Sequence, residues 1–121
     1  MKRDMELVRR ILIDLADSRH PLNASIFVTD RVSFEDVCYH YRIMSEGGLI
    51  KASVSYADNE PYIAIASELT WDGNEFLAAV KSDTVWAKVK TRIAKATGDT
   101  TLDVMKALAV KIGGDIILAG L

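Results

Sequence analysis

Two histidines, one cysteine and a few neighbouring carboxylates are the side chains of this sequence best equipped for chemistry. His20 and His40 stand far apart and Cys38 has no second thiol, so neither a zinc-ligand spacing nor an internal disulfide is present. No metal and no cofactor is expected. Cys38 falls on the apolar side of a helical pattern, the common place for a free cysteine used as a small hydrophobe. A reactive thiol would need an activating neighbour that the sequence does not supply. Glu35 with Asp36, and Asp58 with Glu60, can be drawn as acid and base, yet carboxylates at helix starts and turns ordinarily hold backbone amides. Gly47 and Gly48 lack the lysine and hydroxyl residue that complete a phosphate loop, and read as a helix end. With no nucleophile, metal or cofactor motif, the expectation is a protein that is not an enzyme and has no catalytic residues.

Binding chemistry is what remains. Fifteen Lys and Arg stand against 17 Asp and Glu, for a formal net charge of −2. The molecule as a whole therefore does not attract phosphate, and any nucleic-acid contact must come from a local patch. The candidate nucleic-acid-binding residues are Tyr39, His40 and Arg42 on one helix, Lys51 on the strand after it, and Lys88, Arg92 and Lys95 within one sector of a later helix. Glu35, Asp36 and Glu46 share the outward face with Arg42, so phosphate would be repelled there. Solvated helix faces explain both Lys88, Arg92 and Lys95 and the cluster Lys2, Arg3, Arg9 and Arg10 without any ligand, yet these are the best local sites for nucleic acid or an acidic partner.

These residues need elements to position them. From Asp4 to about Ser18, Met5, Val8, Ile11, Leu12 and Leu15 recur at amphipathic-helix spacing. Pro21 ends that helix, and Ser25 to Val32, rich in β-branched and aromatic residues, predicts a strand. Ser33 with Asp36 three residues on forms a variant capping box for a helix over Phe34 to Glu46. Its core side carries Phe34, Val37, Cys38, Tyr41 and Met44, and its outward side Glu35, Tyr39, Arg42, Ile43 and Glu46. Leu49 to Tyr56 alternates as a half-buried strand, and Tyr62 to about Ser67 closes a hairpin after the turn-like run Ala57 to Pro61. Thr70 caps a helix carrying Trp71, Phe76, Leu77 and Val80, and Ser82 or Asp83 caps another burying Val85, Val89, Ile93 and Ala96. From Thr101 onward a last helix is expected.

A length of 121 residues, half of them apolar and 26% charged, fits one globular domain with a real core. The expected class is α+β: a winged-helix-like core over residues 1–81 (helix, strand, helix, β-hairpin wing) and a C-terminal helical extension over 82–121. No secretory start is seen. Lys106, Lys111 and Asp115 interrupt the apolar C-terminus, so no bilayer span is expected and a cytoplasmic location follows by default. The last segment holds more apolar residues than one stripe requires. Leu102, Met105, Leu108, Ala109, Ile112 and Ile116 are therefore the expected interface of a homodimer, the alternative being that the helix folds back within one chain.

Two stretches, SFEDVCYHYRIMSEGGLIKA from Ser33 to Ala52 and LTWDGNEFLAAVKSDTVWAKVK from Leu69 to Lys90, together with the opening MKRDMELVRRIL, resemble the family named domain of unknown function 2513, found in bacteria and prophage regions. More loosely, His40, Tyr41, Met44, Gly48 and Leu49 are similar to the DNA-reading helix of bacterial winged-helix repressors. These resemblances imply a DNA-associated regulatory role without assigning an activity. The alternative is a protein-interaction module that keeps the winged-helix shape. It is favoured by the acidic outward helix and by a strand-like segment standing where a repressor has the first helix of its helix-turn-helix pair.

Overall fold

A computed structural model of the chain describes residues 1–95 and 107–113, the side chains of 93–95 excepted. Helix α1 (Met5–Asp17) starts at Asp4, whose carboxylate accepts from the amides of Glu6 and Leu7 and so satisfies two of the donors that a helix start leaves open. Its apolar spacing delivers Leu7, Val8, Ile11, Leu12 and Leu15 to the interior.

The expected strand from Ser25 to Val32 does not form. Strand β1 is only Leu22–Asn23, and a 3-10 turn, Ala24–Phe27, follows it. The Asn23 side chain accepts from the Ser25 amide and draws the backbone into a turn. Ala24 and Phe27, three residues apart, are then both fully buried, while Ile26 and Val28 between and after them stay exposed. The Thr29 hydroxyl accepts from the amides of Arg31 and Val32 and makes a second local turn. β-Branched composition suggested a strand, and side-chain bonds to the local backbone decided otherwise.

Helix α2 (Phe34–Glu46) has both bonds of its capping box, between the Ser33 hydroxyl and the Asp36 amide and between the Asp36 carboxylate and the Ser33 amide. It ends as the glycines predicted: Gly48 takes φ +78, and the Leu49 amide donates back to the Met44 carbonyl. Strands β2 (Ile50–Ala57) and β3 (Glu60–Leu69) pair antiparallel, and Asp58 and Asn59, at φ 53 and 66, form the two-residue turn that suits the twist of a hairpin. With β1 antiparallel on the far side of β3, the sheet order is β1-β3-β2. Small residues meet on its inner face, where Ala52 pairs with Ala66 and Val54 with Ala64. Tyr41 is fully buried; its hydroxyl donates to the Leu22 carbonyl and its ring meets Phe27 edge-on at 6.3 Å.

Helix α3 (Trp71–Val80) is capped by Thr70, whose hydroxyl donates to the Gly48 carbonyl and accepts from the Gly73 amide. Gly73 allows that start: a Cβ there would lie 1.9 Å from the Leu49 carbonyl oxygen. Phe76, Leu77 and Val80 are buried as expected, but Trp71, at the first helical position, is 78% exposed. Ser82 caps α4 (Asp83–Lys95), which buries Val85, Trp86 and Val89. Residues 107–113 are helical. Ala96, expected on the buried side of α4, lies outside the described residues, as does the side chain of Ile93.

The architecture is therefore mixed α+β with a three-stranded antiparallel sheet. The chain divides into two compact units, Met1–Asn74 and Glu75–Leu121. In the first unit, α1, the 3-10 turn and α2 pack with the inner sheet face to form the core. Among the described residues, no helix is long and apolar enough to cross a membrane.

Candidate interaction surface on the second helix and the hairpin

α2 offers two faces, and the structure assigns them differently from the sequence at one important position. His40, expected among the outward contact residues, is 2% exposed. Its Nδ1 donates to the Asp36 carbonyl at 2.6 Å, and its Nε2 accepts from the Asp4 backbone amide at 2.8 Å. That histidine joins the cap of α1 to the first turn of α2 and cannot reach an outside ligand. A helical position next to the apolar stripe, combined with a ring able both to donate and to accept, was the signal available in the sequence.

Tyr39 and Arg42 do lie outward, half-buried and exposed respectively, and the Arg42 guanidinium stands over the Tyr39 ring, 5.5 Å from its centroid. Lys51 is exposed on β2, but its ammonium is 3.2 Å from the Glu68 carboxylate directly across the strand pair. The carboxylates of Glu35 and Glu46 on α2, and of Asp58 and Glu60 at the hairpin tip, are all exposed. Negative charge thus dominates the outward side of α2 and the end of the hairpin.

Between these two elements is a groove of about 290 Å³, lined by Glu35, Cys38, Tyr39 and Arg42 from α2, by Tyr56, Asn59, Glu60 and Pro61 from the hairpin, and by Met1. The sequence carries Tyr56 to the end of an alternating strand but does not bring it to α2. Burial, and then the charge of Glu35, push the Cys38 thiol up from its ordinary value near 9 to about 11, which keeps it protonated and unreactive near neutrality. A larger hollow of about 470 Å³ runs along α1 beside Val32 and mixes Asp4, Glu6 and Asp14 with Arg9 and Arg10. Arg10 there lies over the buried Phe27 ring at 5.7 Å.

Of the later cations, Lys88 and Arg92 are exposed on α4, and the Lys95 side chain lies outside the described residues. They belong to the second unit, whereas Tyr39, Arg42 and Lys51 belong to the first. Among the residues expected at a dimer interface, Ala109 and Ile112 are buried within the single chain and offer no surface as they stand, and Leu108 is half-buried. Leu102, Met105 and Ile116 lie outside the described residues. Among the described residues, no group of three His, Cys, Asp or Glu side chains could hold a metal ion.

An α+β fold, a groove with aromatic and acidic walls, and a buried histidine leave the class of protein open at the level of chemistry, but ancestry is clear. The sequence model of the family described as "Hypothetical protein (DUF2513)" matches residues 2–99, and the chain belongs to that family. It is also 36% identical over 114 residues to a protein of Haemophilus influenzae described as an uncharacterized protein, the match covering 93% of this chain and 95% of the relative. No solved structure matches the chain.

Proposed function

We propose that this chain is a non-enzymatic protein-interaction module of winged-helix shape, working in the bacterial cytoplasm, whose α2 and hairpin receive a partner protein. One observation carries the reading: the outward side of α2, which a winged-helix reader would present to the major groove, bears exposed Glu35 and Glu46 beside Arg42, while His40 is inside. DNA readers place several cations against phosphate, and each contact strengthens binding at low salt. Here Lys51, the wing cation, already faces Glu68. The shape itself is supported by the order helix, strand, turn, helix, hairpin and by the 3-10 turn Ala24–Phe27, which occupies the place of the first helix of a helix-turn-helix pair.

Affinity capture from nuclease-treated host extract tests it. A partner protein should be enriched by the unaltered chain and lost with Tyr39→Ser. Capture that depends on intact nucleic acid would refute the reading.

A second reading, a DNA-associated regulator, draws on the same element order and on the exposed Lys88 and Arg92 of α4. It requires that binding not rely on the outward side of α2.

A further inference from the structure

The groove between α2 and the hairpin has a chemical character narrower than "interaction surface". Tyr39 and Tyr56 supply aromatic surface, half-buried in the first case and 52% exposed in the second. Glu35 stands on the helix bank and Glu60 on the hairpin bank, both exposed, and Arg42 and Met1 line the same groove. Asp58, in the turn at the same end of the hairpin, adds a further negative charge nearby. An aromatic face attracts a cation through its quadrupole, and flanking carboxylates add Coulombic attraction and hydrogen-bond acceptors. The Tyr39 ring shows that it accepts such a group, since the chain's own Arg42 guanidinium lies over it.

We propose that this groove binds an arginine- or lysine-bearing segment of a partner protein, and that Arg42 is a built-in competitor for the Tyr39 ring. The proposal rests on the interaction-module reading and specifies the chemistry of its partner. A volume of about 290 Å³ suits one long side chain and its adjoining backbone, not a folded domain. Nucleic acid is disfavoured because Glu35 and Glu60 would face its phosphates. Arg42 then lowers affinity for the incoming cation in two ways, by covering the ring and by like-charge repulsion.

The test is an amide chemical-shift titration of the intact chain with two blocked pentapeptides, Gly-Ser-Arg-Ser-Gly and Gly-Ser-Glu-Ser-Gly. The arginine peptide should cause saturable, salt-sensitive shifts centred on Glu35, Tyr39, Tyr56 and Glu60, and the glutamate peptide should not. Arg42→Gln should tighten binding by about two- to five-fold, while Glu35→Gln and Glu60→Gln should each weaken it by a similar factor. All three changes are at exposed positions outside the capping bonds, and circular dichroism checks that each variant is folded. Absent or non-saturable shifts with the arginine peptide overturn the proposal, as does weaker binding in Arg42→Gln. So does a short DNA duplex that shifts the same amides and depends on Arg42. If the peptide fails while capture of a partner protein still depends on Tyr39, the groove chemistry is wrong and the interaction reading stands. If both fail, both fall.

Discussion

His40 and Cys38 illustrate how burial assigns a role that residue type leaves open. Removing the His40 ring takes away the acceptor of the Asp4 amide, so His40→Leu should cost about 1–2 kcal/mol of stability, read as a lower urea midpoint at unchanged slope. An unchanged midpoint would show that the bond contributes nothing. Cys38 predicts a pH dependence. Its folded pKa is raised from about 9 to about 11, so the fold favours the protonated thiol, and the unfolded chain loses its proton first as pH rises. Stability from this group is complete below about 9 and is lost toward about 11. Cys38→Ala should flatten that part of the stability profile. Tyr41, whose pKa burial pushes up as well, should leave a further decline at higher pH. Helical spacing places Val37, Cys38, Tyr41 and Met44 inside correctly, whereas Phe34, expected on the same side, is only half-buried. The same spacing misplaces His40, because a polar ring can be buried only where two backbone partners await it, and one of them, Asp4, is 36 residues away.

Local chemistry made most elements legible at the next scale. The Ser33–Asp36 box, the Gly47–Gly48 stop, the Thr70 cap and the hairpin turn all follow from side chains within a few residues of the backbone groups they satisfy. Ser33→Ala should therefore lower stability by about 1 kcal/mol in thermal or urea unfolding. The segment after Pro21 departs from the expected strand because, although its apolar composition fits one, Asn23 and Thr29 bond to nearby amides and turn it. Gly73 was invisible for a different reason. Its need arises from the Leu49 carbonyl, brought close only by the tertiary fold. Gly73→Ala must displace backbone to make room, and should lower stability by at least about 2 kcal/mol. A melting temperature equal to that of the unaltered chain would contradict the close approach of α3 to Leu49.

At the scale of the whole molecule, charge placement rather than fold separates the two functional readings. A net charge of −2 was plain from composition, and so was the acidic character of α2, but the convergence of α2 with the hairpin tip was not, since it depends on strand register and on the twist after residue 50. Lys88 and Arg92, exposed on one helix whose common face the sequence shows, lie in the second unit. On the proposed interaction reading, the outward side of α2 and the hairpin serve a protein partner and do not read DNA. Its most direct test is a fluorescence-anisotropy titration of the intact chain against labelled duplexes from the region around its own gene, at low and at physiological salt. No saturable, salt-dependent binding is expected at micromolar protein. Salt-dependent binding that is weakened by Arg42→Ala and strengthened by Glu35→Gln would contradict it.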